Sequence, residues 1–367
     1  MNLTSIQHIL PSFGVAPGHA EVNPLGNGLI NHTYKITDHK NERSIVLQVV
    51  NTLVFPHPED IQHNYHLIGN FLKETGSTLT IPEMVRTTDG KFGLYDEQKR
   101  YWRAFEFIEN TYSPNIADSP DLAYTAAKCF GQLTSELNAF DITQLKEILP
   151  RFHDLGYRFE QFEDALHRGN LDRIEKSRDL ILQLLNRKYI VAFFSQMLEN
   201  PEGYRLRVMH HDTKVSNILF NREDGSVVCP VDMDTVMPGR FYSDLGDMIR
   251  TMACSADEND TNFSALHIRK DYYQAILKGY AEQMGNSLTD VENQHLHYSG
   301  LIMIYQQALR FLTDYLLEDV YYKTTYSEHN LDRARNQIQL LLSLEEFLRD
   351  QYSFPITIPP VQSTVTP

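Results

Sequence analysis

Cysteine is scarce in this chain, with three in 367 residues (Cys129, Cys229, Cys254), odd in number and far apart. They form neither a CxxC metal pair nor a disulfide framework. Long apolar runs are missing, and no window approaches the 18 or so consecutive apolar residues that a membrane helix needs. Positive charge is in deficit: 33 Lys and Arg against 48 Asp and Glu leave a net charge of −15. Such a surface repels phosphate backbones and anionic lipid, which disfavours nucleic acid and membrane as partners. The first Lys or Arg is Lys35, and Met1–His8 has neither the basic start nor the apolar stretch of a signal peptide. The sequence reads as that of a soluble, cytoplasmic protein. No period of 20–50 residues repeats, so solenoids and propellers are excluded.

What is present is ordinary globular material, 42% apolar and 22% charged, long enough for two or three compact units. Apolar spacing predicts a helix over Leu3–Phe13, stopped by Pro17-Gly18. Residues 20–107 read mainly as strands, at Thr33–Thr37, Ser44–Val50, Met84–Thr87, Phe92–Tyr95 and Tyr101–Ile108, interrupted by a helix over Glu59–Glu74. Beyond 118 the pattern is helical: Asp121–Asn138, Arg158–Leu166, Ile174–Leu198, Phe263–Met284, Val291–Leu317 and Leu331–Arg349. One strand-rich island, Leu206–Val231, lies inside that half. Strands first and helices later predict an α+β fold in two lobes. The lobes are a small β-rich one over 1–107 and a large helical one over 108–350. A disordered tail over 351–367, rich in Pro, Thr and Ser, follows.

The island carries the chemistry. His210-His211-Asp212-Thr213-Lys214-Val215-Ser216-Asn217 is followed by Ile218-Leu219-Phe220, an Asp224-Gly225 turn, and Val227–Asp234. A two-residue Asp-Gly loop would set Asn217 opposite Asp232, placing an amide and a carboxylate side by side. Those oxygen ligands suit Mg²⁺, which takes few protein ligands and completes its shell with phosphate and water. Asp212 is then left to accept a proton from a substrate hydroxyl, and Lys214 to offset charge on a transferring phosphoryl group. The kinase catalytic loop, His-Arg-Asp with Asn five positions on, has the same arrangement. Taken singly, these residues are also ordinary turn formers and strand ends. Upstream, Gly26-Asn27-Gly28-Leu29-Ile30-Asn31 precedes an extended segment, and its glycines let backbone N–H groups approach phosphates. Fifteen histidines include no HxxxH or HExxH pair on a helix with a third ligand.

On these motifs the chain resembles the small-molecule kinases of the aminoglycoside-phosphotransferase and choline-kinase type, which share the protein-kinase fold. Within them it most closely resembles the N-acetylhexosamine 1-kinases. The likeness runs from Leu25 to about Leu340 and rests on Gly26–Asn31, Leu47-Gln48, His210–Lys214, Asn217–Leu219, Asp232–Gly239, Asp244–Asp247 and Arg310–Leu316. It implies Asp212 as catalytic base, His210 as a brace of the catalytic loop, and Asn217 and Asp232 as holders of Mg²⁺, with ATP as co-substrate. Asp234 is left as a second metal ligand, a sugar contact or a support for the ligands. Asp244, Asp247 and Arg250 fit a buried charge cluster beneath the site.

One position departs from protein kinases. Where they place a lysine on the third strand, Ser44–Val50 offers Gln48, which donates a hydrogen bond but carries no charge. The sugar-kinase relatives resemble this chain there, so other groups must offset phosphate charge. The same resemblance implies that Tyr101–Ile108, with Glu106 near its end, would form the last strand and a hinge whose backbone groups read adenine. The acceptor pocket falls around Arg310, Asp314 and Tyr321. Arg310 and Asp314 are four apart on one helix face, and a surface ion pair explains them equally well. The expected activity is ATP- and Mg²⁺-dependent phosphorylation of the anomeric 1-hydroxyl of an N-acetylhexosamine. An amino alcohol, amino acid or aminoglycoside acceptor, or a silent nucleotide-binding protein, are the alternatives.

Overall fold

A computed structural model of the chain describes residues 3–26 and 30–356. Two compact units emerge, and the chain passes between them several times. One comprises 1–113, 136–150 and 217–238; the other comprises 114–135, 151–216 and 239–367. No helix of the described residues is long and apolar enough to cross a membrane.

The first unit is built on an antiparallel sheet of β1 (Ala20–Pro24), β2 (His32–Asp38), β3 (Arg43–Val50), β4 (Met84–Val85), β5 (Leu94–Tyr95) and β6 (Tyr101–Glu106), in the order β1-β2-β3-β6-β4 with β5 on β6. The two-residue alternation of a strand sorts its side chains onto two faces. Ile45, Leu47 and Val49 of β3, with Trp102 and Ala104 of β6, join Ile6, Leu10 and Phe13 of the N-terminal helical segment in one core. The opposite parity places Thr33, Gln48 and Arg103 in line across β2, β3 and β6, paired Thr33 to Gln48 and Gln48 to Arg103. The helix Pro58–Glu74 packs Tyr65 against Phe105 on that second face, ring centroids 5.1 Å apart. A short strand β7 (Thr111–Tyr112) pairs with the hairpin described next.

After β8 (Arg207–Met209) in the other unit, β9 (Ile218–Asn221) and β10 (Val227–Pro230) form the anticipated hairpin, with a different register. Pro230 pairs with Ile218, and the Val231 N–H donates to the Asn217 carbonyl at 2.9 Å, so Asn217 faces Val231 rather than Asp232. The cause is the turn. Asp224 caps Ser226 through its carboxylate, and Gly225, at φ 70°, donates back to Asn221 across a wider loop than two residues. A register shift between Val227 and Cys229 absorbs the remainder.

The helical unit centres on α11 (Tyr298–Leu316), buried along most of its length between α8 (Tyr242–Met252) and α12 (His329–Tyr352). Gly246 permits the close approach of α8, because a Cβ there would run into the Ser299 carbonyl on α11. The sequence reading did not anticipate α8, although Ser243, Asp244, Asp247, Arg250 and Thr251 follow helical spacing; that polar face is largely buried along with the apolar one. The stretch anticipated as one helix over Ile174–Leu198 is three: Leu171–Lys176, Arg178–Leu185 and Lys188–Glu199. The breaks fall at Ser177, whose hydroxyl bonds back to the Arg173 carbonyl, and at Arg187, whose buried guanidinium turns to Glu345. The last helix runs on to Tyr352, past the Arg349 expected from the sequence.

Candidate active-site residues

In the helical unit, β8 leads into His210–Ser216. His210 is fully buried against Phe130, and its Nδ1 accepts the Asp212 N–H at 3.3 Å. His211 takes a left-handed backbone, φ 67°, and a Cβ at Gly239 would strike its ring. The loop is gripped through its backbone by α8. Asp244 accepts the N–H groups of His210 and His211 at 3.0 and 2.8 Å, and Asp247 accepts that of Thr213 at 2.9 Å. Arg250 then bridges Asp247 and Glu258, at 2.9 and 3.0 Å. Burial pushes both buried carboxyls up from the usual range; His210 opposes this at Asp244, as Arg250 does at Asp247. Asp212 stays partly exposed and pairs with the Lys214 Nζ at 2.8 Å.

Further along the same unit, His153 stacks on His211 with ring centroids 5.2 Å apart. Gln306 donates to its Nδ1 at 2.9 Å, so its Nε2 is the donor to the His211 carbonyl. Burial above all, then His211, Arg310 and Arg158, holds His153 well below its ordinary pKa, in the neutral form. The Arg310 guanidinium sits 5.4, 5.6 and 5.7 Å from the rings of Tyr322, Phe152 and Tyr321. Asp314 is turned elsewhere: its carboxylate accepts the N–H groups of Tyr321 and Tyr322 and the amide of Asn330, at 2.8–2.9 Å, and so shapes the loop after α11. A second arginine, Arg158, belongs beside Arg310; its pKa is lowered by burial and then by the Arg310 charge, and its buried Nε has no hydrogen-bond partner. Nothing in the sequence marked Arg158, which reads as one polar position of an amphipathic helix.

In the β-rich unit, Asn217 and Asp232 stand at one end of the hairpin, and Asp232 has a left-handed backbone, φ 60°. The short helical turn Met233–Thr235 brings the buried Asp234 against Arg103, whose Nη2 lies 2.6 Å from Oδ1. Asn31 donates to Asp234 Oδ2 at 2.7 Å and accepts the Asn51 N–H at 3.0 Å. Gln48 donates to the Thr33 hydroxyl at 3.0 Å and accepts from Arg103 Nε at 2.9 Å. Gly26 is left-handed at φ 72°, while Asn27 and Gly28 lie outside the described residues. Glu106 ends β6 with its N–H on the Glu83 carbonyl at 2.8 Å. Arg103 escaped the sequence reading. Its signal is a charged residue amid Tyr101-Trp102 and Ala104-Phe105, at the parity of Gln48.

Residues 21–281 match the phosphotransferase enzyme family, which spans well over half of the chain. The chain belongs to that family. The matched region contains Asp212, Asn217 and Asp232, whereas Arg310, Asp314 and Tyr321 lie beyond it. Among solved structures the fold is shared with a microcompartment-associated aminopropanol kinase, 18% identical over 95% of this chain and 98% of that one, TM-score 0.62. It is shared also with spectinomycin phosphotransferase solved with ADP and spectinomycin, 13% identical over 94% and 98%, TM-score 0.56. The choline kinase of Cryptosporidium parvum is 14% identical over 95% of each chain, TM-score 0.56. For a phosphotransferase of this family, the absence of a lysine at Gln48 is the feature that needs a structural account.

Proposed function

We infer that this phosphotransferase is an ATP- and Mg²⁺-dependent kinase that transfers the γ-phosphoryl group to the anomeric 1-hydroxyl of an N-acetylhexosamine. The observation that carries the acceptor reading is the Arg310–Arg158 cluster among Phe152, Tyr321 and Tyr322. Two guanidiniums without a neutralising carboxylate among their described contacts repel an ammonium group, and their donors suit hydroxyl and acetamido oxygens. Aromatic faces give a sugar ring an apolar surface. Two of the solved structures that share the fold are named for amines, an aminopropanol kinase and a choline kinase, and the Arg310–Arg158 cluster would repel such a cation.

In this reading Asp212 accepts the 1-hydroxyl proton as the sugar oxygen bonds to phosphorus and the bond from phosphorus to the β-phosphate oxygen breaks, releasing ADP. Lys214, 2.8 Å from Asp212, places a positive charge beside that carboxylate and the transferring phosphoryl group. Asp244 and Asp247 fix the backbone on which Asp212 is carried, which limits misplacement of the base. Neutral His153 adds no further charge behind Arg310. Asn217 and Asp232 would hold Mg²⁺: one amide and one carboxylate oxygen at the end of a rigid hairpin fit a hard ion that keeps water and phosphate in its shell. When bound, the ion neutralises charge on the β- and γ-phosphates. Nucleotide use has the support of the ADP-bound relative.

The test is Mg·ATP consumption against N-acetylglucosamine, N-acetylgalactosamine, galactose, choline, homoserine and kanamycin, with the product read by phosphorus NMR. A C1 phosphate formed only from N-acetylhexosamines is expected. Turnover on a cationic acceptor instead would retain Asp212 as base and discard the Arg310 pocket.

A further inference from the structure

The β-rich unit answers the puzzle of Gln48 with a network rather than a charge. Protein kinases grip the nucleotide with a lysine on the third strand. Here that strand position is an amide whose two ends are both occupied, Nε2 on Thr33 and Oε1 on Arg103. The cation stands one strand over, at Arg103 on β6, with 2% of its side chain exposed. Its charge is balanced by Asp234, two residues beyond the candidate metal ligand Asp232. Asp234 in turn receives Asn31, where the glycine-bearing loop enters β2. Thr33, Gln48, Arg103, Asp234 and Asn31 thus form one chain of bonds, buried at Arg103 and Asp234 and half-buried at the other three, extended to the backbone by the N–H of Asn51.

A buried ion pair is a poor way to gain stability, because desolvating both charges offsets their attraction. This pair is also incompletely satisfied, since Arg103 Nη1 is buried without a hydrogen-bond partner. Both facts direct attention to what the pair holds. Only a guanidinium, with its planar fork of donors, reaches Gln48 through Nε and Asp234 through Nη2 at once; an ammonium presents a single point of charge.

We propose that Arg103 is a positioning residue for the nucleotide and its metal. Its fork joins Gln48 to Asp234 and, through Asp234, to Asn31, so that the exit of the glycine-bearing loop and the turn after Asp232 are set as one body. The proposal rests on the kinase reading above. It departs from a simple exchange of lysine for arginine, because what matters is the geometry of the fork rather than the positive charge.

Arg103→Lys separates the two. It keeps the buried charge beside Asp234, so the chain should fold, but it cannot span both partners. Binding of a non-hydrolysable ATP analogue with Mg²⁺, measured by calorimetry without any acceptor, should weaken about tenfold, the scale of one lost charge-assisted hydrogen bond. Asn31→Ala should weaken it by a smaller factor, and the double variant should bind no more weakly than Arg103→Lys alone. Gln48→Leu, which leaves the ion pair intact, should lower affinity several-fold and checks the same network if Arg103→Lys is poorly folded. Unchanged affinity in Arg103→Lys or in Gln48→Leu overturns the proposal, as do losses that multiply in the double variant. If the wild-type chain binds neither the ATP nor the GTP analogue, the kinase reading itself fails and the proposal with it. A wild-type chain that binds while the variants bind equally well removes the proposal alone.

Discussion

In the helical unit the segment bearing Asp212 is gripped through its backbone: the N–H groups of His210, His211 and Thr213 are claimed by Asp244 and Asp247, some 33–34 residues later on α8. In the β-rich unit the corresponding parts are joined side chain to side chain, over separations of 131 and 203 residues for Arg103 and Asn31 on Asp234. The backbone clamp is indifferent to which side chains the loop carries, and so leaves those of Asp212 and Lys214 to the chemistry. The side-chain network depends on the identity of every member. Substitutions on the clamp should therefore act on stability, and substitutions in the network on nucleotide affinity.

The largest effect should come from the group that the clamp presents. Asp212→Asn removes the proton acceptor while keeping the shape, and kcat should fall on the order of 10³-fold with the melting temperature unchanged. Near-normal turnover would take Asp212 out of the base role. The clamp itself should respond in the opposite manner. Asp244→Ala leaves two buried N–H groups without acceptors and should cost about 3 kcal/mol in chemical denaturation. A loss of activity in Asp244→Ala at full stability would dissolve the contrast between the two units.

Next in size are the arginines of the helical unit. Arg310→Gln should raise the acceptor KM by about tenfold to a hundredfold, the range of a lost hydrogen bond from a charged donor, and leave the KM for ATP alone. Arg158→Gln should shift the same constant by less. Equal shifts in both KM values would mean that Arg310 acts through the fold rather than on the acceptor.

The contrast also decides what the sequence could reveal. The segment that bears Asp212 is local, so His210, Asp212, Lys214 and Asn217 could be read together as a string, and the hairpin that follows was legible from its turn residues. Its register was not, because Asp224 and Gly225 act in a wider turn and the surplus residue is absorbed near Val228. Helix α8 was missed although Ser243, Asp244, Asp247, Arg250 and Thr251 keep a helical spacing, because its acidic residues were read as a charge cluster rather than as the polar face of a helix. Arg103 and Arg158 were illegible for another reason. Each acquires meaning only from partners far along the chain, Asp234 for one and Arg310 for the other. Asp314 shows the converse, since a spacing of four from Arg310 suggested a pair that the loop backbone claims instead.

The smallest expected effect sharpens the comparison by pH. His153 is buried in the helical unit and held neutral, its pKa kept well below the ordinary 6.5 by burial and by His211, Arg310 and Arg158. An unfolded chain takes up that proton as the pH drops through 6.5, whereas the folded chain does not. The unfolded state then binds more protons, so stability must fall with falling pH, at up to about 1.4 kcal/mol per pH unit for one such group. Denaturation midpoints between pH 7.5 and 5.5 measure this slope in the wild type and in His153→Gln, where a neutral amide stands in the same place. The slope should be shallower in the variant by up to one proton, while nucleotide affinity, which we assign to the β-rich unit, should not change between them at pH 7.5. An identical slope would mean that His153 is protonated in the folded chain, and that the positive field around Arg310 is weaker than its neighbours imply.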